Sequence, residues 1–482
     1  MTIKKKPLKP LARHYVPLIK DESDVPQPWT PEPYQLQSAE FILSRSGAGL
    51  FLDPGLGKTA ITLAAIKTLV KQKKAKKILI VAPLRVCHLV WPAEIAKWKD
   101  FNHLTYQILH GPNKQKALDT KSQIYLINPE GLPWLLGNTP KSMKLFERLK
   151  FDVLVVDELT KFKNQKSQRF KLLKKVLHLF KYCWGLTGSP ASNGLINLFS
   201  QCYILDGGAA LGKYITQYRS RYFELSYNGF SYVIRPGMDA VIYEKIKPFC
   251  LRLAAEDHIE MPKLITHEII VELPHTVMEF YNELESELIA QINDNLVVAS
   301  NAAAASIKCR QIANGAIYTG ELSGGAREYT VVHDEKLDAL ENLIEELQGQ
   351  PLLVAYEFEH DLARILKRFP HSPYIGKGVT MTATKKIEHD WNTGKIPLLF
   401  GQPQSMGHGL NLQSSCCHVA WFTPCWDLEL SDQFVRRVWR RGNPNARVFN
   451  HIIIAKGTVD RLVIIAQKRK MSVQQALFDA IK

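Results

Sequence analysis

The sequence predicts an α/β protein with two doubly wound parallel-sheet lobes and helical insertions between them. Short, β-branched apolar runs recur along the 482 residues, amphipathic helical stretches separate them, and the whole alternation occurs twice. Nearly continuous apolar strands are what a parallel sheet covered by helices on both faces requires. Strand and helix alternating over this length is the doubly wound pattern.

Residues 1–33 are rich in Pro and Lys and predict a basic tail. The first lobe is expected over 34–205. A short apolar strand at 49–53 leads into a helix over 58–72, and "KILIVAPL" (77–84), "IYLINPE" (124–130) and "FDVLVVDE" (151–158) are further strands. Residues 206–335 are less regular and are expected to hold the end of the first lobe and helical protrusions or a linker. Within them, 281–313 predicts one or two long helices. The second lobe is expected over 336–482, with strands at 351–358, 396–402, 416–424 and 447–454.

Composition narrows the partners. At 46% hydrophobic and 22% charged, the chain is ordinary globular material. No run of about twenty apolar residues predicts a membrane span, and the charged N-terminus has no apolar stretch behind it, which argues against secretion. Eight scattered cysteines without a C-x-x-C pair read as reduced thiols. The net charge of +16 points to a polyanion, most simply nucleic acid. The cations cluster: Lys161, Lys163, Lys166, Arg169, Lys171, Lys174 and Lys175 follow one another with no acid between them, and Arg436, Arg437, Arg440 and Arg441 form a second group.

The segment "FLDPGLGKTAIT" (51–62) sits between a strand and a helix. Such a loop aims free N–H groups and the helix dipole at one point, where an anion is stabilised. Gly55 and Gly57 let the backbone curl around a phosphate, and Gly55, Leu56, Gly57, Lys58 and Thr59 keep their N–H groups. Lys58 suits the β and γ phosphates, and the Thr59 hydroxyl suits Mg²⁺. Two residues fit this poorly: Leu52 stands where the usual spacing has its first glycine, and Pro54 forfeits an N–H. About a hundred residues on, Asp157 and Glu158 end a strand. Asp157 suits Mg²⁺ through water, and Glu158 suits a general base for the attacking water.

With these residues in view, the chain from Tyr34 to about Arg469 resembles the Snf-type (Swi/Snf-like) ATPases of helicase superfamily two, in their compact phage or bacterial form. "PYQLQSAEFIL" (33–43) looks like the Q motif, which implies that Gln35 reads adenine. "DPGLGKT" is similar to D-E-M-G-L-G-K-T, a phosphate loop that also lacks the first glycine. "DELTKFKNQKS" (157–167) resembles D-E-A-H-x-x-K-N-x-x-S, and "WGLTGSPASN" (184–193) resembles L-T-G-T-P-x-x-N. The middle of the chain carries "LRLAAEDHIEMPKL", "IKCRQIANGAIY" and "DEKLDALENLIEEL", each similar to a family block. "SMGHGLNLQSS" (405–415) is similar to G-x-G-L-N-L-x-x-A, and "QFVRRVWRRGNP" (433–444) to Q-x-x-x-R-x-x-R-x-G-Q.

The resemblance implies RecA-like lobes, ATP and Mg²⁺ as cofactors, and double-stranded DNA, branched or forked forms included, held without sequence specificity. It implies a motor that translocates on that DNA and remodels protein–DNA complexes. A strand-separating or branch-migrating DNA helicase and an ATP-gated DNA-binding clamp or scaffold with little turnover are the alternatives. By its register Arg437 and Arg440 are arginine fingers, and their i, i+3 spacing predicts one helical face. Arg436 and Arg441 are expected to face solvent, acids or DNA. Gly409 joins the nucleotide set, while Lys163, Asn164, Thr187, Gly188, Ser189, Gly407 and Asn411 are expected to bind DNA or couple it to ATP. The expected compartment is the cytoplasm or nucleoid of a bacterium or phage-infected cell. Two departures stand out: Thr160 where the family has His, and Asn443 where it has Gln.

Overall fold

The computed structural model describes residues 25–137, 139–192, 194–226, 232–293, 307–323, 326–406 and 409–481. Six strands come first: β1 (Gly47–Leu52), β2 (Ile78–Val81), β3 (Tyr106–Ile108), β4 (Ile124–Ile127), β5 (Val153–Asp157) and β6 (Tyr182–Thr187). A small antiparallel pair follows, β7 (Phe223–Leu225) with β8 (Tyr232–Ile234), and then β9 (Cys250–Leu253). Next are β10 (Lys263–Val271) and a second antiparallel pair, β11 (Ala316–Ser323) with β12 (Ala326–Val331). The last five are β13 (Leu352–Ala355), β14 (Tyr374–Ile375), β15 (Leu398–Gly401), β16 (His418–Trp421) and β17 (Arg447–Ala455).

Two parallel sheets organise these strands, as the alternation predicts. The first has the order β3-β4-β2-β5-β6-β1-β9 and the second β10-β17-β16-β13-β15-β14. The inner strands of each are buried on both faces. In β2, Leu79 and Val81 enter one apolar core while Ile78 and Ile80 enter the other. In β13, Leu353 and Ala355 divide from Leu352 and Val354 in the same way. Each such fully buried Leu or Ile contributes roughly 1.5–3 kcal/mol, and neither β2 nor β13 carries a polar residue.

The change of sheet falls between Leu253 and Lys263. The second lobe, expected to begin at 336, therefore takes its edge strand from inside the stretch read as protrusions and linker. Of the helical region expected at 281–313, the helix His275–Asn293 and a short helix at 307–313 are described, and 294–306 lie outside the described residues. Two of the middle blocks, 307–318 and 334–347, meet in a buried polar hub against the second sheet. Lys336 Nζ, fully buried, lies 2.5 Å from Asp460 Oδ2 and donates to Asn314 Oδ1 at 2.9 Å. Asn314 donates in turn to Asp361 and Thr423, and Arg310 pairs with Glu357. Each of these charges has a partner, as burial demands.

Topology places the chemistry. β5, β6 and β1 are consecutive in the first sheet and parallel. Their C-terminal ends, which carry Asp157-Glu158, Thr187-Gly188-Ser189 and the glycine loop, thus lie side by side on one sheet edge, the usual ligand edge of an open α/β sheet.

Candidate active site

The glycine loop builds the first wall. β1 runs on through Leu52, whose side chain is buried in the core, so this position needs an apolar strand residue rather than a glycine. Gly55 (φ 95°) and Gly57 (φ 80°) take left-handed backbone that a side chain would strain, and Gly57 caps the helix Lys58–Lys71. Pro54 now has a role: a Cβ built on Gly188 would lie 3.2 Å from Pro54 Cδ, so the proline ring packs the loop against the turn after β6. Gln35 Nε2 donates to Leu56 O at 3.2 Å, and Gln35 Oε1 accepts from Glu32 N–H at 3.0 Å. Lys58 Nζ donates to Leu52 O at 2.7 Å and Asp53 O at 3.2 Å. Burial draws the Lys58 pKa below its ordinary value, against the pull of Glu158, Asp157 and Asp53.

Behind the loop, Asp53 is 2% exposed. Arg252 Nη1 donates to its Oδ1 at 2.7 Å, Ala255 N–H donates to its Oδ2 at 3.0 Å, and Arg436 approaches to 3.6 Å from the second sheet's side. Burial alone would raise Asp53, but Arg436 and Arg252 hold it below the usual carboxylate range. Breaking a buried pair from one side leaves a stranded charge. Arg252→Ala is therefore expected to cost about 3 kcal/mol, seen as a lower urea midpoint of unfolding; an unchanged midpoint would contradict it.

Asp157 and Glu158 form the second wall. Asp157 Oδ2 accepts from Trp91 Nε1 at 3.0 Å and its Oδ1 from Glu158 N–H at 3.1 Å. Glu158 holds left-handed backbone (φ 58°), uncommon outside glycine and a form of strain concentrated at functional positions. Trp91 escaped the sequence reading because an indole in an apolar helix reads as core. Thr187 accepts from Ser189 N–H at 3.2 Å and is buried.

The third wall comes from the other sheet. Gly409, Asn411, Gln433, Arg437, Arg440 and Arg441 line one cleft of about 530 Å³ together with Gln35, Pro54, Gly55, Gly57, Lys58, Thr59, Asp157, Glu158, Gly188 and Ser189. Leu56 is buried beneath the loop. Gly409 (φ 81°) brings second-lobe backbone against Val90, which a Cβ would meet at 3.1 Å. Gly407 lies outside the described residues.

Arg437 and Arg440 do not share a helical face. The helix Leu428–Val435 stops at Arg436, and both arginines stand in the turns that follow. Side chains and loops take the carbonyls that another helical turn would need. Asn443 Nδ2 donates to Val438 O at 2.9 Å, and Leu412 N–H donates to Arg437 O at 3.1 Å. Asn443 thus shapes the loop that carries Arg437 and Arg440. Arg437 Nη1 donates to Leu410 O at 3.1 Å, and Arg440 Nη1 to Asn411 Oδ1 at 2.5 Å. Burial and the neighbouring Arg440 draw Arg437 down to about 10, so it stays cationic at neutral pH. Arg436 and Arg441 do face acids: Arg436 bonds Asp432 at 2.9 Å, and Arg441 reaches Glu32 at 3.3 Å.

The remaining nucleic-acid candidates are placed differently. Asn411 turns to Arg440, and its N–H donates to Glu388 at 2.7 Å. Lys163 Nζ lies 3.5 Å from Glu429 and 3.9 Å from Asp427. Asn164 caps the turn at Lys166 N–H. The basic run 161–175 is divided: Arg169 meets Glu130, Lys174 sits 4.2 Å over the Tyr203 ring, and Lys166, Lys171 and Lys175 are exposed.

Residues 34–316 match the family described as SNF2-related domain. The chain belongs to the SNF2-related family. It is 34% identical over 481 residues to a protein of Acyrthosiphon pisum secondary endosymbiont phage 1, covering 94% of this chain and 99% of that one. An uncharacterized ATP-dependent helicase of Mycoplasma genitalium is 25% identical over 91% of this chain, which spans 41% of that protein's length. The CHD3-type chromatin-remodeling factor PICKLE of Arabidopsis thaliana is 22% identical over 93% of this chain and 34% of its own length. Among solved structures, the Sulfolobus solfataricus SWI2/SNF2 ATPase core in complex with dsDNA aligns at a TM-score of 0.45 and 20% identity, covering 94% of each chain. As an SNF2-family member the chain is a helicase-like ATP hydrolase. No described helix is long and apolar enough to cross a membrane, and all eight cysteines are free.

Proposed function

We propose that this SNF2-family ATPase is a DNA-dependent motor that translocates on double-stranded DNA and remodels protein–DNA complexes or branched and forked DNA. One observation carries the reading: the phosphate loop and acids of one sheet and the arginines of the other face a single cleft. ATP bound there touches both lobes, so hydrolysis waits on lobe closure and closure does mechanical work.

The residues fit the nucleotide and its ion. Gly55 to Thr59 supply N–H groups at a helix N-terminus for the phosphates, with Lys58 beside them. Thr59 and Asp157 offer the hard oxygen donors that Mg²⁺ prefers, and they would hold it. When bound, the ion would supply positive charge against the phosphates. Glu158 takes a proton from the attacking water, and Arg437 and Arg440 stabilise charge that develops on the γ-phosphoryl group.

DNA as the partner is supported by the +16 net charge and by relatives named as helicases and chromatin-remodeling factors. Contacts to phosphates carry no sequence information, so binding is expected to be non-specific and steeply dependent on salt. The phage and bacterial relatives support a bacterial or phage-infected cytoplasm or nucleoid as the place of action.

ATPase rates with single-stranded, double-stranded, forked and four-way DNA and with RNA test the partner. Triplex displacement without strand displacement is the expected product pattern, and the reverse would favour a strand-separating helicase. If the helix face at Lys171, Lys174 and Lys175 holds phosphates, neutralising all three makes the dependence of log affinity on log salt shallower by about 0.9 for each phosphate released. An unchanged slope would remove that face from the DNA path.

A further inference from the structure

The residue that departs from the family pattern in the base-bearing turn has a partner in the other lobe. Thr160 Oγ1 donates to Glu429 Oε1 at 2.5 Å across 269 positions of sequence. Both side chains are buried, at 2% and 7% exposure. Thr160 lies two residues beyond Glu158, in a tight turn closed by Lys161 N–H on Glu158 O at 2.9 Å. Glu429 opens the helix Leu428–Val435, and its backbone N–H is capped by Asp427 at 2.9 Å. The other end of that short helix is held as well, where Arg436 approaches Asp53 beneath the phosphate loop. The helix that delivers Arg437 and Arg440 is thus held to the first lobe at both ends.

We propose that Glu429 is a positioning residue for ATP hydrolysis: through Thr160 it sets the turn that carries Glu158 in register with the segment that carries the arginine fingers. This rests on the reading of Glu158 as the general base. The chemistry of the contact favours a working role over packing. A buried carboxylate is costly where an apolar side chain would pack for less. Glu429 is placed near a second carboxylate, Glu158, and the cation beside it is Lys163 at 3.5 Å. Burial first and Glu158 next push the Glu429 carboxyl above its usual range, while Thr160 and Lys163 act to lower it and Asp427 adds to the rise. A hydroxyl at position 160 donates to this carboxylate without adding charge or a titration near neutral pH, both of which a histidine would bring.

Thr160→Val keeps the shape and removes the donor, Thr160→Ser keeps the donor, and Glu429→Gln keeps a weaker, neutral acceptor. A hydrogen bond to a charged group corresponds to about a tenfold to hundredfold effect. The expected result is a loss of that size in kcat for Thr160→Val, with the KM for ATP little changed, and near-normal turnover for Thr160→Ser. Glu429→Gln is expected to lose kcat as well, because a neutral amide oxygen accepts the Thr160 hydroxyl more weakly than a carboxylate does. The double variant Thr160→Val/Glu429→Gln should be no worse than the poorer single one. Wild-type kcat in Thr160→Val, equal losses in Val and Ser, or additive losses in the double variant would each overturn the proposal. Glu158→Gln separates the two readings. If it keeps wild-type turnover while Thr160→Val loses kcat, the base assignment fails and the cross-lobe link stands; if it loses turnover while Thr160→Val does not, the link alone fails.

Discussion

Glu158→Gln is expected to lower ATP turnover in the presence of duplex DNA by about 10²- to 10⁴-fold. Gln keeps the size and polarity of the side chain but cannot take a proton. Asp157 is held separately by Trp91, so the site beside it should survive. ATP and DNA binding should remain measurable, which distinguishes a lost base from a collapsed cleft. Fluorescent-nucleotide titration beside steady-state ATPase checks both, and wild-type turnover in this variant would remove Glu158 from the base role.

Arg440→Ala is expected to lower kcat by about 10³-fold, at the modest end for an arginine finger, with ATP affinity within about tenfold of wild type. The reason is geometric. Arg440 lines the cleft from the second lobe, and its partner Asn411 belongs to the same lobe, so the first-lobe phosphate loop is untouched by its removal. A guanidinium aimed at developing charge acts chiefly in the transition state. Outright loss of ATP binding would make Arg440 a ground-state ligand instead.

The sequence showed both sheets and singled out most of the residues that line the cleft, because both are written in short-range pattern. The run around Ile78 to Val81 is apolar at every position because both sheet faces are covered, and the loop from Asp53 to Thr59 declares itself through two glycines, a lysine and a threonine. What escaped was written across the fold. Asp53 with Arg436, Thr160 with Glu429 and Glu32 with Arg441 join residues more than 260 positions apart, and no periodicity links them. The same distance explains the two misfits at the loop. Leu52 is a core strand residue, and Pro54 packs against Gly188, more than a hundred positions on. The arginine pair was placed on a helix because spacing alone cannot show that Asn443 and Leu412 claim the carbonyls a helix would use. The second sheet's edge strand was missed for a related reason. β10 is partly exposed along most of its length and lacks the continuous apolar run of the inner strands.

The central claim is that one ATP is hydrolysed between two lobes and that duplex DNA promotes their closure. It is tested most directly by kcat for ATP measured with and without double-stranded DNA, in the wild-type protein and in Arg440→Ala side by side. The account predicts strong stimulation by DNA in the wild type and much weaker stimulation in the variant, because closure then delivers Arg437 without Arg440. Equal stimulation of both proteins would contradict it.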